Sequence, residues 1–337
     1  MIEVNRRHAL SLAAGGMLAL AGCSELTSSD DEESDGGIEA DGGLPSYASI
    51  LPAGDYSPYV YGAIDFETMA TIIDEEDTTA GDEPDDPLIG NPIVVAVLNS
   101  SGFSHLANSP GATAYSDNDE TPTGEGALVY ANGAFAVVGE YDYDGLYTDL
   151  EQAGYDLESE SDSSALFSDA ETDEIVGITD DVYAFSYPNP NDDEYDALEG
   201  VDRLIETAAG EREPKHETDD DFEWLLRTGE TGGITLGVYT DDEALPAETI
   251  DGEQPAEDEE GLEFEFGAFE DASAVHQHLA VESDGAHAST LVTYAGEDSL
   301  DGEGLESALG TDSDSTETTT DDTAVRVDGE YTGELTD

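Results

Sequence analysis

The feature that most constrains this chain is its charge. Acidic residues number 84 and basic residues number 7, which gives a formal net charge of −77. A highly charged chain with few apolar residues stays disordered, because it cannot bury enough surface to offset its loss of conformational entropy. The alternative is a folded protein of a hypersaline environment, where salt screens charge repulsion to a range of roughly 3 Å. Apolar residues make up 37% and cluster in short periodic runs, which favours the folded alternative.

The same imbalance excludes nucleic acid as a partner. Binding to nucleic acid depends on lysine and arginine side chains that neutralise phosphates. Lys215 is the only lysine, and the arginines are too few and too scattered along the chain to form a basic patch.

The N-terminus predicts export. Arg6 and Arg7 form a short basic region, and the apolar stretch that follows, residues 9–21, is 13 residues long. A helix needs about 20 residues to span a bilayer, so this stretch is typical of a signal peptide. The paired arginines resemble a twin-arginine export signal, although Asn5 stands where Ser or Thr is usual. We therefore expect residues 1–22 to be removed as a signal peptide.

Cys23 is the expected point of attachment to the membrane. It follows Leu20-Ala21-Gly22, and the four residues look like a lipobox, in which small residues fit a peptidase groove and the thiol accepts a lipid. Cys23 is also the only cysteine, which excludes a disulfide within the chain. Two acyl chains would anchor it stably, since each buried methylene contributes about 0.8 kcal/mol. The expected partner is thus the lipid bilayer, and the expected location is the outer face of the cytoplasmic membrane.

Composition divides the mature chain into four segments. Residues 23–43 lack apolar periodicity and predict a lipidated, acidic, disordered tether. Residues 44–216 predict an α+β domain, residues 217–309 predict a second α+β unit, and residues 310–337 predict a low-complexity acidic tail with a candidate edge strand. The order of elements predicts an α+β fold of antiparallel sheets with short packed helices, in two sub-domains built from split βαβ-like units.

Local signals predict individual elements. Asn132-Gly133 lies between two apolar runs and predicts a hairpin, because both turn residues need a positive φ. Helical spacing of apolar residues predicts helices over residues 143–154 and 192–210, each ended by a glycine. Further predictions include a buried strand at 93–100, an alternating strand at 262–269, a helix at 270–280 and an edge strand at 324–333.

Together these features resemble those of haloarchaeal surface lipoproteins. The lipobox, the acidic tether and acidic strand-to-helix units such as VVGEYDYDGLYTDLEQAGYDL (residues 137–157) are similar to that family. The resemblance implies a membrane-anchored surface protein of a halophilic archaeon. It implies no particular activity, no cofactor and no catalytic residues.

One stretch is close to the calcium loop of an EF-hand. Glu140, Asp142, Asp144, Gly145 and Glu151 fill the pattern, except that Glu stands at the first position, where Asp is required. The residues before Glu140 are typical of a strand, whereas an EF-hand needs a helix there. The favoured interpretation is a strand end followed by a capped helix, with weak calcium binding as the alternative. No metal site and no cofactor are predicted from the sequence.

Two features that contain histidine are candidates for metal binding or catalysis. His276 and His278, with His287 further along, would suit a transition metal if they shared a face. On the predicted helix two residues apart point in nearly opposite directions, so we expect exposed histidines without a ligand; a strand would place them together. Ser104 beside His105 lacks the second glycine of a nucleophile elbow and predicts no catalytic pair.

Asn99-Ser100-Ser101 is a glycosylation sequon in a chain expected to be exported. Because it ends the strand predicted at residues 93–100, we expect Asn99 to lie in a surface loop and to be a candidate for glycosylation.

The sequence thus predicts a lipid-anchored extracytoplasmic protein whose most favoured role is that of a non-catalytic surface or interaction protein. A ligand-binding receptor module is the alternative, and a carboxylate-based hydrolase is a third. The many carboxylates do not favour the hydrolase, because a surface adapted to salt accounts for nearly all of them.

Overall fold

A computed structural model describes residues 38–40, 42–54, 56–74, 86–187, 195–251, 264–282 and 285–332. The predicted signal peptide, Cys23 and most of the predicted tether lie outside these residues. None of the described helices combines the length and the apolar content that crossing a membrane requires.

Twelve strands of the described residues form a single antiparallel sheet, in the order β11-β12-β10-β9-β8-β1-β2-β3-β7-β6-β5-β4. The predicted α+β class, with antiparallel strands and short packed helices, is therefore confirmed. The strands are β1 (Tyr59–Asp65), β2 (Ala127–Ala131), β3 (Ala134–Val138), β4 (Asp156–Glu160), β5 (Ala165–Ser168), β6 (Ile175–Ile178), β7 (Val182–Ser186), β8 (Ile234–Tyr239), β9 (Ala272–Glu282), β10 (Gly285–Tyr294), β11 (Ser315–Asp321) and β12 (Ala324–Thr332).

Helices cover both faces of this sheet, so it has a core on each side. The long helix α2 packs on one face, where Leu88 and Val95 join Leu128 and Val238 in a buried cluster. Helices α5 and α7 lie on the other face. The helices are α1 (Phe66–Asp74), α2 (Pro87–Asn108), α3 (Ala112–Asn118), α4 (Tyr143–Ala153), α5 (Ala197–Ala208), α6 (Lys215–Thr218), α7 (Asp220–Thr228), α8 (Ala247–Asp251) and α9 (Gly302–Ala308).

Strands from all the predicted folded segments belong to this one sheet. β1 pairs with β8 along its length, for example Tyr61 with Gly237, so the division between residues 44–216 and 217–309 does not separate two sheets. The C-terminal segment supplies β11 and β12. The threonine-rich β11 is the edge strand, whereas residues 324–332, which were expected at the edge, form the inner strand β12 between β11 and β10.

Elements with strong local signals form as predicted. Asn132 and Gly133 have φ of 45° and 100°, and they join β2 to β3 in a hairpin whose last pair is Ala131 with Ala134. In α4 the Asp142 side chain accepts a hydrogen bond from the Gly145 N–H, and Gly154 ends the helix with φ of 104°. These signals depend on one residue's own backbone preference, so distant parts of the chain do not override them.

The strand predicted at residues 93–100 is wrong, because this run lies in the middle of α2. Asp86 caps that helix by accepting a hydrogen bond from the Leu88 N–H, and Pro87 occupies its first position. A short β-branched run that is buried on several sides has the same apolar pattern in a helix as in a strand, so the pattern does not distinguish the two.

The helix predicted at residues 270–280 is also wrong, because these residues form most of β9. The strand buries both of its faces: Val275 and Leu279 belong to the α2 side, and His276 and His278 to the other side. Burial on both sides removes the alternation that would have indicated a strand. The strand predicted at residues 262–269 is wrong over the described residues 264–269, which form a loop that ends in a 3₁₀ turn.

Candidate functional site

Two neighbouring strands bring three imidazoles to one face of the sheet. His276 and His278 lie two residues apart on β9 and so face the same side. On β10, Ser289 is paired with His278, and His287 is two residues before Ser289 and points to the same side. The prediction of exposed histidines on a helix is thus wrong, since His276 is 1% exposed and His278 is 4% exposed.

The third strand, β12, adds charged side chains to the same face. Its register on β10 places Glu330 beside His287 and Asp328 beside Ser289. Arg326 lies two residues before Asp328 on β12 and faces the same side. Glu330 Oε1 lies 3.1 Å from His287 Nδ1, which is a hydrogen-bonding distance.

Glu230 reaches this group from residues 228–233, which comprise the last residue of α7 and the loop that joins it to β8; we call this segment the 228–233 loop. Its Oε2 atom lies 3.3 Å from His278 Nδ1 and 3.3 Å from His287 Nε2, so one carboxylate oxygen stands between two imidazoles. Side chains of the sheet bind backbone carbonyl groups of this loop and hold it in place. The guanidinium of Arg326 donates to the Thr228 carbonyl, and His276 contacts the Glu230 carbonyl at 2.8 Å.

His276 has a structural role that its hydrogen bonds define. A carbonyl oxygen can only accept, so Nε2–H of His276 donates to the Glu230 carbonyl, and Nδ1 must then accept from the Tyr61 hydroxyl at 2.9 Å. Burial lowers the pKa of His276 to about 4, which keeps the ring neutral near pH 7. The ring therefore fixes the 228–233 loop above the sheet.

The charges of this group act on one another. The adjacent His278 and the charge of His287 hold the pKa of Glu230 at about 2, against the opposing effect of burial. Burial lowers the pKa of His287, but Glu230 and Glu330 outweigh it and raise that pKa above its ordinary value. Burial raises the pKa of Asp328, although Arg326 next to it acts in the opposite direction.

His278 is the most deeply buried partner of Glu230. Its side chain is 6% exposed, and its buried Nδ1 atom lies 3.3 Å from Glu230 Oε2. This contact is the largest of the effects that lower the pKa of Glu230.

Within the described part of the chain, one group of three side chains that can bind a metal lies close together. A carboxylate oxygen of Glu230, a ring nitrogen of His287 and a carboxylate oxygen of Asp328 all lie within 4.8 Å of one another. All three side chains are partly buried. Donors of this kind and spacing could hold a metal ion.

A cavity of about 340 Å³ opens beside the group. Arg326 and Glu230 line it together with Gly42 and Gly43, which precede the first element of the fold. A second cavity, of about 250 Å³, is lined by Thr231, Gly232 and Gly233 among others and shares Thr231 with the first. Residues of the 228–233 loop therefore line both cavities.

The residues of the candidate calcium loop do not come together in this way. The strand β3 precedes Glu140, and Asp142 caps α4, as the favoured interpretation requires. Neither Asp144 nor Glu151 belongs to the group of metal-ligating side chains found in the described residues. An EF-hand needs an entering helix at this position, and the structure has a strand there.

The expected placement of Asn99 in a surface loop is wrong. Asn99 is fully buried within α2, and its side-chain amide donates to the Val95 carbonyl at 3.0 Å. The acceptor nitrogen of the sequon is therefore enclosed in the folded protein. Arg6, Arg7 and Cys23, the residues of the predicted export signal and anchor, lie outside the described residues.

Sequence reasoning missed Glu230 and Asp328 altogether. Their signal was hidden because the chain contains 84 acidic residues, so no single carboxylate stands out. The spacing of His276 and His278 was the available signal, and it would have pointed to this face had residues 270–280 been assigned to a strand.

No protein-family model and no curated protein matches this chain. Among solved structures, it is similar to crystal form I of TP0453, with a TM-score of 0.40 and 8% identity over 86% of this chain and 94% of the other. Crystal form III of TP0453 gives a TM-score of 0.41 and 9% identity over 86% and 95% of the two chains. Likenesses with TM-scores below 0.5 carry no conclusion about function.

Proposed function

We propose that this chain is a lipid-anchored extracytoplasmic protein of a halophilic archaeon that acts by binding and not by catalysis. The observation that carries the anchor is the N-terminal sequence, in which a basic region and a short apolar stretch end at Cys23, the only cysteine. The binding role is supported by the imidazoles and carboxylates that Glu230 brings together beside a cavity.

The contacts at the end of the predicted tether limit how far the folded body can lie from the membrane. Ile38 N–H donates to the Asp321 carboxylate of β11 at 3.0 Å, and Gly42 N–H donates to the Arg227 carbonyl at 3.1 Å. The chain from Cys23 to Ile38 has only about 15 residues, which span at most about 50 Å when fully extended. A lipid on Cys23 would therefore keep the folded body within that distance of the membrane.

The same contacts support a candidate site beside the end of the predicted tether. Gly42 and Gly43, at that end, line the same cavity as Glu230 and Arg326. A ligand bound there would be held near the membrane surface.

Replacing the anchor tests the proposal. We expect Cys23→Ser to move the protein from the membrane fraction to the medium or the soluble fraction, because it removes the thiol that accepts the lipid. Ser24→Ala, at the next position, is the matched control and should remain in the membrane. The measurement is fractionation of cells in high salt followed by immunodetection.

Membrane association that survives Cys23→Ser would overturn the anchor. The export route is tested separately by Arg6→Lys together with Arg7→Lys, which keeps the charge but removes the paired arginines. We expect the unprocessed precursor to accumulate in the cytoplasm. Normal processing of that variant would rule out twin-arginine export and leave the lipid anchor standing.

A further inference from the structure

We propose that a divalent transition-metal ion of the zinc class binds on this face, with Glu230, His287 and Asp328 as its protein ligands. This inference deepens the binding role proposed above by naming its ligand. It rests on the spacing of these three side chains and on the orientation of the His287 imidazole.

The distances fit ligands of one ion. Zinc binds nitrogen and oxygen donors at about 2.1 Å, so two ligands of a tetrahedral ion lie about 3.4 Å apart. Glu230 Oε2 and His287 Nε2 are 3.3 Å apart, and a donor atom of Asp328 lies within 4.8 Å of both groups. Charge-assisted hydrogen bonds are shorter, about 2.7–2.9 Å, so a direct ion pair explains the separation of Glu230 and His287 less well.

The orientation of His287 fits a metal ligand. A histidine that binds a metal through one ring nitrogen usually donates its other N–H to a carboxylate or a carbonyl. His287 Nδ1 lies 3.1 Å from Glu330 Oε1, which leaves Nε2 directed at Glu230. Glu330 therefore has the position of an outer carboxylate that orients the ligand.

His278 lies behind Glu230, on the side of the sheet. Its buried Nδ1 atom is 3.3 Å from Glu230 Oε2 and so helps to position that carboxylate. His278 itself does not belong to the group of three closely spaced ligands. Ser289, which pairs with His278 and with Asp328 across the strands, fills the space between them with a small side chain.

The donor set indicates the class of ion. Imidazole nitrogen suits Zn²⁺, Co²⁺, Ni²⁺ and Cu²⁺, whereas Ca²⁺ and Mg²⁺ prefer oxygen ligands throughout. Two carboxylates and one imidazole match the charge and the donor preference of a divalent ion of the first kind. The nearby Arg326 is held by the Thr228 carbonyl, which keeps its guanidinium occupied at the edge of the site.

Cobalt(II) titration of the purified full-length protein, in detergent and high salt, tests the inference. We expect the intense visible absorption of low-coordinate Co²⁺ to saturate at one equivalent, to be displaced by Zn²⁺ and to resist excess Ca²⁺. His287→Gln and Asp328→Asn should each weaken binding at least about tenfold, and Glu330→Gln should weaken it by about 10–100-fold, as outer-shell losses typically do.

Two matched controls separate the site from general attraction to an acidic surface. Glu317→Gln removes the exposed carboxylate paired with Asp328 on β11, and His105→Gln removes an exposed imidazole on α2. Both should leave the titration unchanged. Equal binding in His287→Gln, or weak binding to many sites, would mean an adventitious ion only and would overturn the inference.

Where a variant fails to fold, X-ray absorption of the wild-type protein loaded with Zn²⁺ decides instead. Scattering from imidazole rings supports the site, and a shell of oxygen atoms alone refutes it. The titration tests the metal ligands on the sheet, and the fractionation tests the lipid anchor at Cys23. Failure of the metal site would therefore leave the anchor standing, and failure of the anchor would leave the metal site standing.

Discussion

In dilute buffer we expect this protein to unfold. The transition should occur as the salt concentration falls from about 1 M to about 0.1 M, because the Debye length then grows from about 3 Å to about 10 Å. At the longer range, carboxylates that do not touch one another begin to repel. With 84 acidic residues against 7 basic residues, that repulsion has no internal compensation.

The described basic side chains cannot supply this compensation, because each of them already binds a carboxylate or a backbone carbonyl group. Four of the five described lysine and arginine residues pair with carboxylates on neighbouring turns or loops, and Arg326 donates to a backbone carbonyl. The four pairs are Arg203 with Glu199, Arg212 with Glu206, Lys215 with Asp219, and Arg227 with Glu223.

The fluorescence of Trp224 provides the measurement. Trp224 is the only tryptophan and lies half-buried on α7, packed against one of the two cores, so its emission should shift when that core opens. Far-ultraviolet circular dichroism should follow the same curve. Sucrose is the control for salt, because it favours the compact state without screening charge and should not replace salt in full.

A charge-reducing variant sharpens this test. Asp156→Asn with Glu160→Gln acts on β4, an edge strand whose residues are all exposed, so it removes charge without disturbing a core. We expect its transition to move to lower salt, whereas the charge-preserving swap of Asp156→Glu with Glu160→Asp should not move it. A protein that stays folded in dilute buffer would contradict the proposed adaptation to salt.

An element of the fold could be predicted where its sequence signal depends only on residues close to it in the chain. The Asn132-Gly133 turn and the capped helix before Gly154 follow from the preferences of single residues, and both form as expected. The run at residues 93–100 gave no such signal. Its burial in α2 depends on the strands it packs against, and those strands come from elsewhere in the chain.

The candidate site was less predictable for a physical reason. Glu230 meets His278 and His287 only because β8, β9 and β10 pair in a particular register beneath the 228–233 loop. Asp328 joins them from β12, 41 residues beyond His287. Register is set by the packing of the whole sheet, so a sequence that offers dozens of carboxylates does not reveal which of them will face an imidazole.

The second large effect is expected at Asp86, which is fully buried. Its Oδ1 atom accepts hydrogen bonds from the N–H groups of Leu88 and Gly310, both at 3.0 Å. Its Oδ2 atom accepts from the Asp312 N–H at 3.2 Å and from the Tyr331 hydroxyl at 2.8 Å. One carboxylate therefore caps α2 and joins it to the C-terminal hairpin of β11 and β12.

Asp86→Ala should lower the free energy of unfolding by about 4 kcal/mol, because the buried Leu88 N–H and Tyr331 hydroxyl each lose their acceptor at a cost of about 1–3 kcal/mol, and two partly buried N–H groups lose theirs as well. The measurement is denaturant unfolding in high salt. Asp142→Ala is the matched control: Asp142 also caps a helix, but it is exposed and accepts only from Gly145. Loss of such a cap typically costs about 1 kcal/mol.

The comparison separates a helix cap from a link between distant segments. If Asp86 served only as a cap, Asp86→Ala would cost no more than Asp142→Ala, and the proposed link would be wrong. Asp86→Asn should fall between them, because its carbonyl oxygen can still accept while its amide faces two donors. Hydrogen exchange gives a local readout: the amides of Gly310 and Asp312 should lose protection in Asp86→Ala and keep it in Asp142→Ala.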